Sequence, residues 1–171
     1  LRKTGIDPNG VKTFEEYDIL GQLVRTQVMD PEDNIISHQE LLYDPAGQVI
    51  REIDHKIAEH EEAGDFVISW EYNRAGEKTA EIEQPDSEDS KVTGYSYDDK
   101  GRLKTIYKPD ACNLHHEYDC LNRLTRFYSS DNTLDYYFEY DLCDNVLHSN
   151  NLLCSYDIFG NLLSETLPSG H

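Results

Sequence analysis

Short runs of apolar and aromatic residues alternate with short polar runs along the whole chain, and this pattern predicts β-strands separated by turns. Residues 66–72 form the clearest apolar run, and residues 95–97 and 103–107 lie on either side of a polar turn. These runs are rich in β-branched and aromatic residues, which are enriched in strands. We therefore predict an all-β chain.

One motif, Tyr-Asp-x-x-Gly-x-Leu/Val, recurs in seven copies along the chain. Its first position holds Tyr17, Tyr43, Tyr72, Tyr97, Tyr118, Tyr140 and Tyr156. Its second position holds Asp18, Asp44, Asn73, Asp98, Asp119, Asp141 and Asp157. Its fifth position holds Gly21, Gly47, Gly76, Gly101, Asn122, Asp144 and Gly160. Its seventh position holds Leu23, Val49, Lys78, Leu103, Leu124, Val146 and Leu162.

The residue types of the motif predict a hairpin turn. An Asp or Asn side chain accepts hydrogen bonds from backbone N–H groups two residues ahead and so closes a turn. The fifth position then needs a positive φ, which Gly adopts without strain and which Asn and Asp tolerate best among the other residues. A type I turn followed by such a residue is a common hairpin loop. The Tyr and the Leu or Val on either side therefore belong to two paired strands.

The spacing of the copies predicts how the hairpins are joined. Successive copies begin 26, 29, 25, 21, 22 and 16 residues apart, and the shorter intervals fit two strands and two turns. Seven such units give about fourteen strands, and open twisted sheets rarely exceed about ten strands without curling. We predict one long, curving antiparallel meander over residues 1–171, in which stacked repeats bury a continuous face.

The motif, its spacing and the proline-containing turns between copies closely resemble the YD repeats of rearrangement hotspot (RHS) proteins, which also occur in insecticidal toxin-complex subunits and teneurins. The resemblance extends from about Gly10 to His171, and the motif is loosest at Asn73, Lys78, Asn122 and Asp144. It implies a strip of β-sheet that curves into a hollow shell. In bacterial toxin members the shell encloses a C-terminal toxic domain, and in teneurins it is part of a cell-surface adhesion receptor.

The resemblance also implies partners and a location. We expect the chain to be a piece of a longer array, with flanking repeats and an enclosed C-terminal domain of the same parent chain as its partners. The family implies a secreted or cell-surface location. The autocleavage signature that usually follows the last repeat in this family is not visible in the sequence.

The charge and hydropathy of the chain argue against two classes of partner. A net charge of -19 opposes binding to nucleic acid, because phosphate contacts need clustered Lys and Arg. The same charge disfavours anionic membrane surfaces. No apolar run approaches the roughly 18 residues of a membrane span. We interpret the acidity as a solvated exterior that keeps a β-rich protein in solution.

Candidate metal sites in the sequence are weak. Residues 54–64 contain His and Glu but lack the H-E-x-x-H order, and we predict a solvated loop there with a possible short helical turn. Residues 83–90 are acidic but lack the Gly and the distal Glu of a calcium loop. The spacing of Cys112 and His115 leaves zinc conceivable, yet no Cys-x-x-Cys pair exists. We predict free thiols, with a disulfide as the alternative, and we predict no metal, no cofactor and no enzymatic activity.

Two functions remain after these exclusions. The first is a structural wall that encloses or scaffolds another domain. The second is a recognition module that binds carbohydrate, such as a cell-surface glycan, through exposed aromatic residues. Trp70 and Tyr137 are the candidate ligand contacts. Exposure of Trp70, Tyr128 or Tyr137 in one patch would favour recognition, and burial of all three would favour the wall.

Overall fold

A computed structural model describes residues 1–57 and 64–167 of the chain. These residues form fifteen β-strands and no helix, so the predicted all-β fold is confirmed. The strands lie in two compact units, Leu1–Thr93 and Gly94–His171. The short helical turn considered for residues 54–64 falls largely on residues 58–63, which lie outside the described residues.

In the first unit, each strand pairs in antiparallel fashion with its neighbours in sequence. Its strands are β1 (Arg2–Ile6), β2 (Lys12–Tyr17), β3 (Leu23–Met29), β4 (Ile35–Tyr43), β5 (Val49–Asp54), β6 (Phe66–Tyr72) and β7 (Lys78–Glu83). The next strand, β8 (Lys91–Tyr97), begins in this unit and ends in the second.

The second unit continues the same pattern of antiparallel pairing between sequence neighbours. Its remaining strands are β9 (Leu103–Tyr107), β10 (Leu114–Tyr118), β11 (Leu124–Ser129), β12 (Asp135–Tyr140), β13 (Val146–Ser149), β14 (Leu152–Tyr156) and β15 (Leu162–Thr166). Pairing in sequence order is the predicted antiparallel meander. The strand count exceeds fourteen because β1 precedes the first complete repeat.

Every motif tyrosine stands at a shift in the strand register. In the hairpin of β10 and β11, Glu117 pairs with Arg126 and the next residue, Tyr118, pairs with Leu124, so one residue of β11 is left over. The same shift occurs beside the motif tyrosine in all seven hairpins. Such β-bulges increase the local right-handed twist and re-aim the side chains next to them.

Burial is shallow throughout both units. Among the described residues, Ala80 is the only buried apolar residue, and Thr105 and Ser129 are the buried polar residues. Most of the described strand residues are half-buried. Stability must therefore come mainly from ladder hydrogen bonds and cross-strand side-chain pairs.

Candidate functional site

The repeated turn is the most regular local structure in the chain, and the fourth copy shows its geometry. The Oδ1 atom of Asp98 accepts hydrogen bonds from the backbone N–H groups of Lys100 at 2.9 Å and Arg102 at 3.0 Å. Two backbone bonds of 2.9 Å close the loop, from Asp98 N–H to the Arg102 carbonyl and from Gly101 N–H to the Asp98 carbonyl. One carboxylate oxygen therefore satisfies two donors of the loop, one of which lies four residues ahead.

The other six turns repeat this double acceptance by one side-chain oxygen. The acceptors are Asp18, Asp44, Asn73, Asp119, Asp141 and Asp157. The fifth position has a positive φ in every copy, including 70° at Asn122 and 68° at Asp144. Asn and Asp thus stand in for glycine in the conformation that they tolerate best among residues with a Cβ.

The motif tyrosines connect one repeat to the next. The hydroxyl of Tyr118 donates a hydrogen bond of 2.9 Å to the carbonyl oxygen of Leu103, the seventh position of the preceding copy. Burial raises the pKa of the Tyr118 phenol, which keeps it a protonated donor at neutral pH. The same contact joins Tyr43 to Leu23 at 2.7 Å, Tyr72 to Val49 at 2.8 Å and Tyr140 to Leu124 at 2.7 Å.

The sixth motif position forms a second connection between repeats. The guanidinium of Arg102 donates to Asp98 Oδ2 at 2.7 Å within its own turn and to the Asp119 carbonyl at 3.0 Å in the next turn. It also donates to Asn122 Oδ1 at 3.0 Å and lies 4.6 Å from the centre of the Tyr118 ring. Arg102 therefore fastens two successive turns and covers the tyrosine between them.

This bridge recurs with other side chains. Arg123 donates to Asp119 Oδ2 at 2.7 Å and to the Asp141 carbonyl at 2.8 Å. In the first unit, the Gln48 amide donates to the Gly76 carbonyl at 2.9 Å. We call the tyrosine bonds and these sixth-position bridges together the inter-repeat ladder.

The sixth motif position, which the motif leaves as x, carries a usable signal in the sequence. That position is polar in all seven copies. Its residues are Gln22, Gln48, Glu77, Arg102, Arg123, Asn145 and Asn161. A position that is always an amide or a charged residue beside a hairpin turn indicates a side chain that binds backbone or carboxylate groups.

The ladder also changes the electrostatics of the turns. Hydrogen bonds from the Arg102 side chain and backbone lower the pKa of Asp98 to about 2. Hydrogen bonds from the backbone and side chain of Arg123 likewise lower the pKa of Asp119. These carboxylates are therefore ionised throughout the neutral and mildly acidic range.

Trp70, one of the two candidate ligand contacts, lies on β6 in the first unit and is half-buried. Its indole N–H donates to Glu81 Oε2 at 3.0 Å, and the Lys78 ammonium lies 5.9 Å from the ring centre. Lys78 also pairs with Glu81 at 2.9 Å, so the residue that breaks the aliphatic seventh position takes part in a polar cluster around the indole.

Tyr137, the other candidate, lies on β12 in the second unit with 49% of its surface exposed. The Arg126 guanidinium lies 4.7 Å from its ring centre and 4.2 Å from that of Tyr128. Arg126 is held by two hydrogen bonds of 2.9 Å to Asp135. One face of Tyr137 is thus occupied by a cation, and its role as a ligand contact stays a prediction.

The four cysteines, Cys112, Cys120, Cys143 and Cys154, are free thiols in this structure. Burial and a hydrogen bond with Asp131 raise the pKa of the Cys112 thiol, which works against a reactive thiolate. Over residues 1–57 and 64–167, the groups of three or more potential metal ligands include no cysteine and comprise only His38, Glu40 and His55.

The fold and the repeat turn are those of a β-strip built from YD repeats. No family model matches the chain. The chain is 30% identical over 133 residues to the probable deoxyribonuclease RhsA of Dickeya dadantii, an alignment that covers 76% of this chain and 8% of that protein. The chain belongs to the RHS, or YD-repeat, family.

Solved toxin-complex structures share the fold. One is a crystal structure of TcdB2-TccC3-Cdc42, which is 20% identical with a TM-score of 0.71 over 93% of this chain and 9% of that chain. Another is the Tc holotoxin pore of Photorhabdus luminescens with a mutated TccC3, also 20% identical, with a TM-score of 0.72 over 95% of this chain and 9% of that chain. The chain thus spans less than a tenth of these relatives. The residues that the structure describes contain no helix that could cross a membrane.

Proposed function

We propose that the chain is a wall segment of an RHS-type shell that encloses or scaffolds a toxin-like effector domain and catalyses no reaction itself. The inter-repeat ladder is the observation that carries this proposal. In it, the motif tyrosines and the sixth-position side chains donate to backbone carbonyls of the neighbouring repeat and so join neighbouring hairpins, as an extended wall requires. Enclosure therefore accounts for the repeated residues without an active site.

The relatives support the same role. RhsA is named a probable deoxyribonuclease, and the chain matches only 8% of its length. We place such an activity in a separate effector domain of the parent protein, and this domain is the partner that the wall encloses. Flanking repeats of the same parent chain would then extend the strand order beyond β1 and β15.

Limited proteolysis of the full-length parent protein tests enclosure. We expect the domain beyond the repeats to resist protease in the wild type. It should become sensitive in the double variant Gly76→Val, Gly101→Val, in which two turns are distorted. Gly5→Val is the matched control, because Gly5 lies in β1 and a Cβ there would meet nothing within 4 Å. An effector domain that is cleaved equally fast in all three proteins would overturn the proposal.

Recognition of a glycan is the second candidate, and the exposure of Tyr137 is the observation that favours it. Glycan-array binding that is lost in Tyr137→Ala or Trp70→Ala would support this function. Tyr107→Ala is the matched control, since Tyr107 is another strand tyrosine with 48% of its surface exposed. No glycan binding by the wild type would leave the wall as the function.

A further inference from the structure

Two histidines and a glutamate meet on one face of the β4–β5 pair. His38 and Glu40 stand two residues apart on β4, so their side chains point to the same face. His55 follows the last residue of β5, and its backbone N–H donates to the His38 carbonyl at 2.9 Å. Strand geometry therefore places His55 directly across from His38.

The side chains converge closely. The His38 and His55 rings stack with their centres 4.3 Å apart and their planes 28° apart. Glu40 Oε1 lies 3.5 Å from His38 Nε2, and Glu40 Oε2 lies 3.8 Å from His55 Nε2. One ligand atom from each of the three residues lies within 4.8 Å of the other two. Ligands of a tetrahedral zinc ion lie about 3.4 Å apart, so the side chains must rotate from this stacked arrangement to direct their ligand atoms at one ion.

The Nε2 atoms of His38 and His55 lie beside the Glu40 carboxylate but make no hydrogen bond to any described residue. His38 Nε2 and His55 Nε2 are both buried atoms without a hydrogen bond among the described residues. Leaving a buried polar atom unsatisfied costs free energy, so two such atoms beside one carboxylate need an explanation. A cation shared by both lone pairs and the carboxylate supplies one.

The surrounding groups orient the ligands. Asp65 Oδ2 lies 2.8 Å from His55 Nδ1, so Nδ1–H donates to the carboxylate and the Nε2 lone pair points at the cluster. A carboxylate behind a metal-binding histidine is a recurrent feature of zinc sites. Arg25 holds Glu40 Oε1 at 2.8 Å and leaves Oε2 available. The charge of Arg25 opposes a cation, and the carboxylates of Glu40 and Asp65 outweigh it.

The chemistry of the set selects the ion. Two imidazoles and one carboxylate suit zinc, whereas Mg²⁺ and Ca²⁺ prefer oxygen ligands alone. His38 and His55 also line part of a surface depression of about 920 Å³, so the cluster lies beside a space open to solvent.

We propose that His38 Nε2, His55 Nε2 and the Glu40 carboxylate bind one zinc ion, with water as the fourth ligand. The ion would connect β4 to the end of β5, which lies within the longest interval between repeats. This site lies outside the inter-repeat ladder, so it stands or falls independently of the proposed wall function.

Calorimetric titration of the untagged, chelator-treated 171-residue chain with ZnCl₂ tests the site. We expect one equivalent to bind, and Co²⁺ to give the intense visible absorption of a tetrahedral complex. His38→Ala and His55→Gln should each weaken binding at least about a hundredfold. Asp65→Asn should weaken it about 10- to 100-fold.

The matched control is His148→Ala in the second unit. His148 Nδ1 also faces a carboxylate, Glu139 Oε2 at 3.2 Å, but has no second imidazole in its cluster, so zinc binding should be unchanged. Circular dichroism checks folding, and if His38→Ala does not fold, the near-isosteric Glu40→Gln variant takes its place. Absence of stoichiometric binding to the wild type, or full binding by His38→Ala and His55→Gln, would overturn the site.

Discussion

The hydroxyl of Tyr118 donates a 2.9 Å hydrogen bond to the carbonyl of Leu103, fifteen residues earlier in the chain. The bond joins the first position of one repeat to the seventh position of the repeat before it. Because the same relation recurs at Tyr43, Tyr72 and Tyr140, the tyrosine hydroxyl, and not the ring alone, explains the choice of this residue.

Removing this hydroxyl should destabilise the chain measurably. We expect Tyr118→Phe to lower the free energy of unfolding by about 0.5–1.5 kcal/mol, because a half-buried carbonyl loses its partner while the ring remains. Urea denaturation measures the change. Tyr107→Phe, at a tyrosine that is 48% exposed, should have a smaller effect, and equal effects would contradict the role of the ladder.

The turn glycine gives a second prediction. Gly101 has a φ of 77°, so Gly101→Val should lower the free energy of unfolding by about 1–2 kcal/mol or more. Gly101→Asn should be tolerated far better, since Asn122 occupies the same motif position with a φ of 70°. An unchanged urea midpoint for Gly101→Val would refute the conformational requirement.

Acid should weaken the fourth turn over a defined range. The pKa of Asp98 is lowered to about 2 in the folded chain, chiefly by hydrogen bonds from Arg102, against about 3.9 in an unfolded chain. A lowered folded pKa contributes stability that is present above pH 4 and is lost as the pH falls towards 2.

Comparison with Asp98→Asn isolates this contribution. The variant keeps a carbonyl acceptor for the turn, as Asn73 does in the third copy, but it has no charge to titrate. The stability difference between the wild type and Asp98→Asn should therefore be constant above pH 5 and shrink between pH 4 and pH 2. Thermal melts across this range measure it, and a pH-independent difference would exclude the ionised carboxylate as its source.

Arg102 should contribute to the thermal stability of the chain, although it lies in a turn. Arg102→Ala removes bonds to Asp98 and to the Asp119 carbonyl and uncovers the Tyr118 ring. Arg102→Lys should recover little, because an ammonium cannot reproduce the planar fork. We expect a lower melting temperature for both variants. Arg74→Ala, at an exposed arginine in another turn, is the control and should melt like the wild type.

The isolated chain should self-associate through its strand edges. In the first unit, β1 pairs with one strand, β2. In the second unit, β15 pairs with one strand, β14. Unpaired strand edges are templates for further pairing. Size-exclusion chromatography should show oligomers that grow with concentration, whereas a cooperatively folding monomer would contradict this prediction.

The sequence predicted the local parts of the structure well. Turns are decided within five residues by a side-chain acceptor and a residue that tolerates positive φ, as at Asp98 and Gly101. Strands follow from the aromatic and aliphatic residues on either side, and their antiparallel order follows from short connections. These features could be read from the chain because the groups involved are neighbours in sequence.

Contacts between repeats were decided by the tertiary structure. The sequence marked Tyr118 and Leu103 as repeat positions, but only strand register brings the hydroxyl to the carbonyl. The motif does not specify the residue at the position of Arg102. Its bond to the Asp119 carbonyl exists only because the fold brings the next turn beside it. His38 and His55 likewise match no H-E-x-x-H pattern, since hydrogen-bonded strands, not spacing along the chain, put these imidazoles together.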